Sequence, residues 1–440
     1  MKKRLSKFFA LMLAICMISV VVSGCSDSNS NSGASNAGSA APAEKTKVTF
    51  WYLWSGDAIA RIDELVKSYN AQSDKYEVEA VSTPDTQKIL AAIAAQNGPD
   101  CSDDFSSNVA KYVGTGMLEP LDNYISSAGY DVDDIVPAAL GTCKVEDITY
   151  ALPCNINFSA MYYNKTILSE AGYTEPPKTL EEMYEMAVKT TKINSDGTID
   201  TLGFPDFPSV YYADAIAVAA GGGFISSEGE VVSADNEGNK LMLQLAVDYR
   251  TKFGLENVQK FTSGGKYLDP TDPFLMGKQT FRIDGPWMGY SIKEEFKADV
   301  DYGVIYIPYS EKHPEYEGRA RVSSSMLYVP ASAKNKEGGF DFISYFCGPE
   351  GLNAVVIPGG DFPCRLSVIK DQTFLSNGYD RDFYGKLAES SNLITSYINT
   401  STSEYETYNN EQIELCLNLK QSVEDTLANI NAKGTEMFGK

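Results

Sequence analysis

One histidine, His313, stands among 440 residues and bounds the chemistry open to the chain. It excludes multi-histidine zinc sites, and a Ser-His-Asp or Cys-His mechanism would rest on this single ring. Its setting, Glu311-Lys312-His313-Pro314-Glu315, is polar and broken by proline, and reads as a solvated loop. Beyond Cys16 and Cys25 the thiols are Cys101, Cys143, Cys154, Cys347, Cys364 and Cys416, without the CxxC spacing of zinc or redox centres. Cys143 and Cys154 flank a hairpin pattern at 144–153, and a bridge between them stays open, since an exported chain can oxidise. Gly221-Gly222-Gly223 has no GK[ST] after it and reads as a turn, not a phosphate cradle. By number alone the 59 Asp and Glu leave room for a glycosidase-like acid pair, which needs two carboxyls about 5–9 Å apart, yet no spacing nominates one.

The elements that position such residues must fit a 48.1 kDa chain, too large for one core and suited to two domains. With 37 Lys and Arg the net charge is −22, which argues against nucleic acid as a partner, because phosphates demand a basic stripe. Residues 1–24 read as a secretory signal: Lys2, Lys3, Arg4 and Lys7 precede an uncharged stretch, Phe8 to Val22, too short for the ~20 residues of a bilayer span. It ends in Val22-Ser23-Gly24-Cys25, which resembles the bacterial lipobox, whose cysteine carries a diacylglycerol. Its removal takes away four positive charges and leaves −26. Residues 25–44 are mostly Ser, Asn, Gly and Ala with one Pro, a flexible tether with an r.m.s. reach of roughly 24 Å. The expected location is the extracytoplasmic face of a cell membrane, anchored by lipid at Cys25.

Along the body, Val48 to Tyr52 is a strand by composition, and Ile59, Ile62, Leu65, Val66 and Tyr69 repeat at helical spacing. Tyr76 to Val81 and Gln87 to Gln96 repeat the strand and the helix, which is the pattern of a parallel α/β sheet with ligands beyond its carboxyl ends. A strand at 155–163 and a short helix, Lys165 to Ala171, follow, and Thr179-Leu180-Glu181-Glu182 forms a capping box opening a helix to about Lys192. Helices are expected at Asn239 to Phe253, Phe340 to Phe346 and, as one long element, Glu404 to Ala432. Strands are expected at Gln279 to Ile283, Tyr302 to Ile307 and Met326 to Val329.

Several of these segments carry a resemblance. Val48-Thr49-Phe50-Trp51-Tyr52-Leu53-Trp54, Gly98-Pro99-Asp100, Tyr150-Ala151-Leu152-Pro153 with Tyr162-Tyr163-Asn164-Lys165, and Phe274 to Trp287 resemble, in order and spacing, family 1 extracellular solute-binding proteins. These are the carbohydrate-binding components of ABC importers, maltose-binding-protein-like in type. The resemblance implies an α/β fold of two interleaved lobes, the type II periplasmic-binding-protein-like arrangement, closing about a hinge. By position the first lobe is 45–154 with 305–348 and the second 155–304 with 349–440, with crossings near Pro153 to Ile156, Val304 and Gly348. It implies a monomer without cofactor or metal, not an enzyme, with an oligosaccharide ligand and permease subunits as partners. A peptide or polyamine ligand, or a carbohydrate-active enzyme, are the alternatives.

Sugars ask for flat apolar rings against their C–H faces and planar polar groups at their hydroxyls. Trp54, at the end of the first strand, and Trp287, matching the family's stacking tryptophan after Asp284, are the platform candidates, while Trp51 reads as core. Asp57 and Asp85 in the first-lobe turns and Asp104 after the third strand are polar candidates, with helix capping as the other reading. Asp103-Asp104-Phe105 departs from the family's more apolar pattern. Asn157 on the crossing strand, Tyr211 and Tyr212, Arg365 on a cleft-facing loop, and Tyr405 and Tyr408 at the start of the terminal helix complete the set, with packing as the alternative for the last two.

Overall fold

The computed structural model describes residues 44–205, 210–224, 234–376, 378–395 and 402–438. Its strands in chain order are β1 (Thr46–Tyr52), β2 (Tyr76–Ser82), β3 (Cys101–Phe105), β4 (Lys144–Val145), β5 (Ile148–Thr149), β6 (Ala151–Pro153), β7 (Asn157–Phe158), β8 (Ala160–Asn164), β9 (Lys192–Ile193), β10 (Ile199–Thr201), β11 (Phe281–Asp284), β12 (Tyr302–Ile305), β13 (Ala320–Ser323), β14 (Ser325–Tyr328) and β15 (Leu393–Thr395).

Alternation builds the first sheet. Val48, Phe50 and Tyr52 occupy every second position of β1 and are buried, each worth ~1.5–3 kcal/mol on leaving water. β2 and β3 flank β1 in parallel, with α1 (Asp57–Gln72) and α2 (Thr86–Ala94) between them in sequence, as the pattern predicts. β14 and β6 extend the sheet antiparallel, giving the order β2-β1-β3-β14-β6. α1 contributes Ile62, Leu65, Val66 and Tyr69 to the core beneath, where the helix Lys336–Phe346 adds Phe340, Phe342 and Phe346. Asp100 ties strand to helix by accepting from Thr49 N at 2.9 Å and from Asn335 N at 2.9 Å.

The second body centres on β8, with β11 and β12 antiparallel on its two sides, beside a sheet of order β15-β13-β7. The capping box forms: Glu182 N donates to Thr179 Oγ1 at 3.1 Å and Thr179 N to Glu182 Oε2 at 3.3 Å, opening the helix Leu180–Thr190. The expected single terminal helix is instead two, Thr402–Leu417 and Val423–Phe438. Leu419 breaks it at φ 55°, and Ser422 Oγ caps the next helix by accepting from Asp425 N at 3.0 Å.

The chain changes sheets at three places. Between β6, paired with β14, and β7, paired with β13, the step falls at 154–156. The second step is not at Val304, which pairs with Tyr162 inside the second body, but at Ser324, between β13 and β14. The third lies beyond Gly348: Leu352, Val355 and Val356 still pack in the first core, whereas Phe362 and Cys364 pack in the other. Ile135, Val136 and Ala139 also join that second core, so 45–154 does not belong to the first body throughout. The six cysteines among the described residues are buried and free, so Cys143 and Cys154 are not bridged.

Candidate functional site

At the carboxyl ends of the first sheet the turn after β1 is pinned from both neighbours. Leu53 N donates to Asp103 Oδ1 at 2.7 Å, and Ser82 Oγ donates to the Trp54 carbonyl at 2.9 Å. Burial, offset in part by that Leu53 amide and reinforced by the Asp104 charge, pushes the Asp103 carboxyl up to about 8. Trp54 stacks on Phe346 with centroids 5.5 Å apart and planes 4° apart, so one of its faces is committed to packing. Asp57 is exposed in the first turn of α1, where the helix dipole favours negative charge. Asp85 takes the capping reading: it is the N-cap of α2, accepting from Lys88 N at 3.1 Å. Asp104 is buried, accepting from the Tyr112 hydroxyl, Phe105 N at 2.7 Å and Asn108 Nδ2 at 3.1 Å, so it orders the turn after β3.

Across the crossings, the end of β11 carries a connected group of polar side chains. Asp284 is wholly buried. Its Oδ1 accepts from Tyr267 Oη at 2.9 Å and Gly285 N at 2.9 Å, and its Oδ2 from Arg282 Nε at 3.1 Å. Burial raises its carboxyl above the ordinary range, against the pull of Arg282. Both oxygens of Asp284, a candidate ligand contact by sequence, thus have partners within the protein. The Arg282 guanidinium also reaches the buried Asp272 at 3.5 Å and lies 4.9 Å from the Tyr267 ring centroid. Tyr267 passes this order outward: its hydroxyl accepts from Trp287 Nε1 at 2.7 Å. The indole lies so close over Gly285 that a Cβ there would stand 2.2 Å from its edge. Trp287 is only partly buried, held at its nitrogen and backed by bare backbone, and Tyr267 is 47% exposed beside it.

Asn157 sits on β7, three residues before Ala160, the register partner of Asp284. It is buried, and its Oδ1 accepts no hydrogen bond among the described residues; the same holds for the Ser324 hydroxyl, next to Asn157's partner Ser323. The remaining candidates lie elsewhere. Arg365 is buried and spent on Cys347 O at 2.8 Å, Asp134 Oδ2 at 3.1 Å and the Tyr130 ring, fastening the third crossing to residues 131–134. Tyr405 is fully buried against Phe438, and Tyr408 is partly buried with Lys433 over its ring. The side chains of Tyr211 and Tyr212, and Cys25, lie outside the described residues. His313 is in its surface loop, 2.9 Å from Glu315. A cavity of about 340 Å³ between the β9–β10 hairpin, the helix Leu255–Thr262 and the loop before β11 touches none of the candidates.

No three or more His, Cys, Asp or Glu among the described residues group to hold a metal, and no described helix is long and apolar enough to cross a membrane. A family model described as bacterial extracellular solute-binding protein matches residues 64–378. The chain belongs to that family. Among the relatives of this solute-binding protein, a maltotriose-binding protein of Pyrococcus abyssi (strain GE5 / Orsay) is 28% identical over 337 residues, 74% of this chain and 68% of that one. A maltooligosaccharide ABC transporter solute-binding lipoprotein of Streptococcus pneumoniae serotype 4 is 28% identical over 308 residues, 66% and 67% of the two chains. The structure of CpMnBP1 with mannotriose bound superposes with a TM-score of 0.77 at 24% identity, over 89% of this chain and all of the other. The solute-binding protein therefore has the two-lobe α/β fold of type II binding proteins, and its family and relatives are binding proteins.

Tyr267 is not among the sequence candidates for this solute-binding protein, although it holds the Trp287 indole. Tyr267 precedes Trp287 by twenty residues in a Gly- and Pro-rich loop, where no local pattern announces that its hydroxyl meets the indole.

Proposed function

We propose that this solute-binding protein captures a neutral oligosaccharide between its lobes and hands it to the permease of an ABC importer. The observation that carries the reading is Trp287, whose indole is fixed at its nitrogen by Tyr267, backed by Gly285 and still partly open. A ring held in one orientation is a platform for the C–H face of a pyranose, because little rotamer freedom remains to be lost on binding. Asn157, with an amide oxygen that has no partner among the described residues, offers a planar acceptor on the crossing strand. The lipoprotein and saccharide names of the relatives support the same reading. Lipid at Cys25 and the tether at 25–44 keep the body close to the membrane on its outer side, where a single copy suffices for capture.

The hinge works only if the ligand binds the closed state more tightly than the open one. Titrating the purified protein with maltotriose, mannotriose, a tripeptide and spermidine, by calorimetry and melting temperature, tests the proposal. A response to a saccharide alone supports it; a response to the peptide or polyamine alone overturns it. Chromatographic detection of saccharide cleavage would overturn the non-enzymatic reading.

A further inference from the structure

The three segments that join the lobes meet at one side chain. Asn155, in the first crossing, is buried. Its Oδ1 accepts from Ser325 N at 2.6 Å and its Nδ2 donates to Ser325 Oγ at 3.2 Å, which ties it to the second crossing from both ends of the amide. It also donates to the Asp361 carboxylate and is bridged to Pro363, both in the third crossing. The backbone follows the same plan. Cys154 N donates to Ser325 O at 3.0 Å and Ile156 N to Phe362 O at 2.9 Å, while Cys364 Sγ donates to Pro153 O at 3.2 Å. From the first lobe, Arg61 of α1 faces Asp361, and from the second, Tyr290 closes against Gly360, which has φ 88° and no room for a Cβ.

An amide has an acceptor and a donor end in one rigid plane, so it can hold two strands in register while reaching a third. We propose that Asn155 is the positioning residue of the hinge, joining the three crossings so that the lobes turn as two bodies about one joint, and thereby setting affinity without touching the ligand. The proposal rests on ligand capture between lobes as read above. Losing the joint lets the crossings move separately, lowers the fraction of molecules aligned to close, and weakens apparent affinity by that fraction. The loss is a common factor. It multiplies the Kd of every ligand equally, whereas removing a contact residue weakens only ligands that reach its subsite.

The test compares wild type, Asn155→Ala and Trp287→Ala in calorimetric titrations with maltose, maltotriose and maltotetraose, and with mannobiose and mannotriose, at a temperature well below each melting point. The expected result is a loss of about tenfold for Asn155→Ala that is the same for each saccharide bound, and a length-dependent loss for Trp287→Ala. Unchanged affinity, or a loss that varies with saccharide as a contact would, overturns the inference. Should Asn155→Ala not fold, Ser325→Ala removes only one acceptor and Asp361→Asn only one charge. Each is expected to give a smaller but still uniform loss, and no loss in either overturns the inference. If wild type binds no saccharide, the functional reading fails while the hinge remains testable. Dyes at exposed Glu64 and Lys192, one on each lobe, should then report a broader distance distribution in Asn155→Ala, and an unchanged distribution overturns the inference.

Discussion

Gly285→Ala probes the Trp287 platform with the smallest possible change. A Cβ at 285 would lie 2.2, 2.3 and 2.7 Å from three atoms of the indole, all ring positions that cannot bend away singly. Carbon pairs sit best near 3.5 Å, so the ring must move by about 1.3 Å. Its nitrogen is 2.7 Å from the Tyr267 hydroxyl, and a displacement of that size strains or breaks the bond. Losing it is worth about 0.5–1.5 kcal/mol, and misalignment of a stacked ring about as much again. Together these predict saccharide affinity weaker by roughly five- to 150-fold, since 1.4 kcal/mol is tenfold. The fold should survive, because the backbone at 285 is not in the left-handed region and its bonds to Asp284 and Tyr162 involve only main-chain atoms of residue 285. Calorimetric titration with the saccharide that wild type binds gives the affinity, and tryptophan fluorescence reports the indole. Tyr267→Phe, which removes only the hydroxyl, should give the smaller part of the loss. Affinity within twofold of wild type in Gly285→Ala, with a shifted fluorescence spectrum showing that the ring did move, would refute the platform argument.

Three further outcomes separate structural from ligand roles. Asp103 is raised to about 8 from an ordinary 3.8, so its neutral form favours the fold; that contribution is complete below about pH 4 and is lost as pH rises through about 8. The melting temperature should accordingly fall across this window, and Asp103→Asn, which keeps the acceptor for Leu53, should flatten the fall; an equal slope in the variant refutes the assignment. Asp85→Ala removes the N-cap of α2 and should lower stability by about 1 kcal/mol in urea denaturation with saccharide affinity unchanged, whereas a lost affinity would return Asp85 to the binding site. Arg365→Ala leaves Asp134 and the Cys347 carbonyl without their buried partner and should cost about 3 kcal/mol in the same assay; a loss of affinity without loss of stability would reverse the reading.

What could be read in advance was set by distance along the chain. The succession β1, α1, β2, α2 and the Thr179 capping box rest on spacings of two to four residues, and all formed where expected. The break in the terminal helix was readable by the same logic, since Ser422-Val423-Glu424-Asp425 is itself a capping pattern, but the apolar run on either side masked it. The step at Ser324 was not readable, because β12 and β14 look alike as short apolar strands. Which sheet each joins depends on pairing with β8 or β3, more than a hundred residues away.

Three of the charged candidates share a physical setting. Asp104, Asp284 and Arg365 were nominated because a planar charged group suits a sugar hydroxyl, yet each is buried with its polar atoms already engaged. An ionised side chain brought into a closing cleft loses water, and only a partner of comparable strength offsets that loss. A neutral sugar supplies hydroxyls and no charge, so a bare carboxylate or guanidinium on the cleft wall would favour the open, hydrated state. Spending the charges one layer behind the surface avoids this. Arg282 and Asp284 fix Tyr267, Tyr267 fixes Trp287, and the two groups proposed above to meet the solute, the Trp287 indole and the Asn157 amide, carry no charge. Capture by such a surface should therefore depend little on pH unless the hinge itself does. The titratable group at the joint is Asp361, which burial pushes up to about 6 against Arg61 and Asn155. A change in saccharide affinity between pH 5 and 7 that disappears in Asp361→Asn would locate the sensitivity in the hinge; a change that persists in that variant would locate it in the cleft wall and contradict the neutral-surface argument.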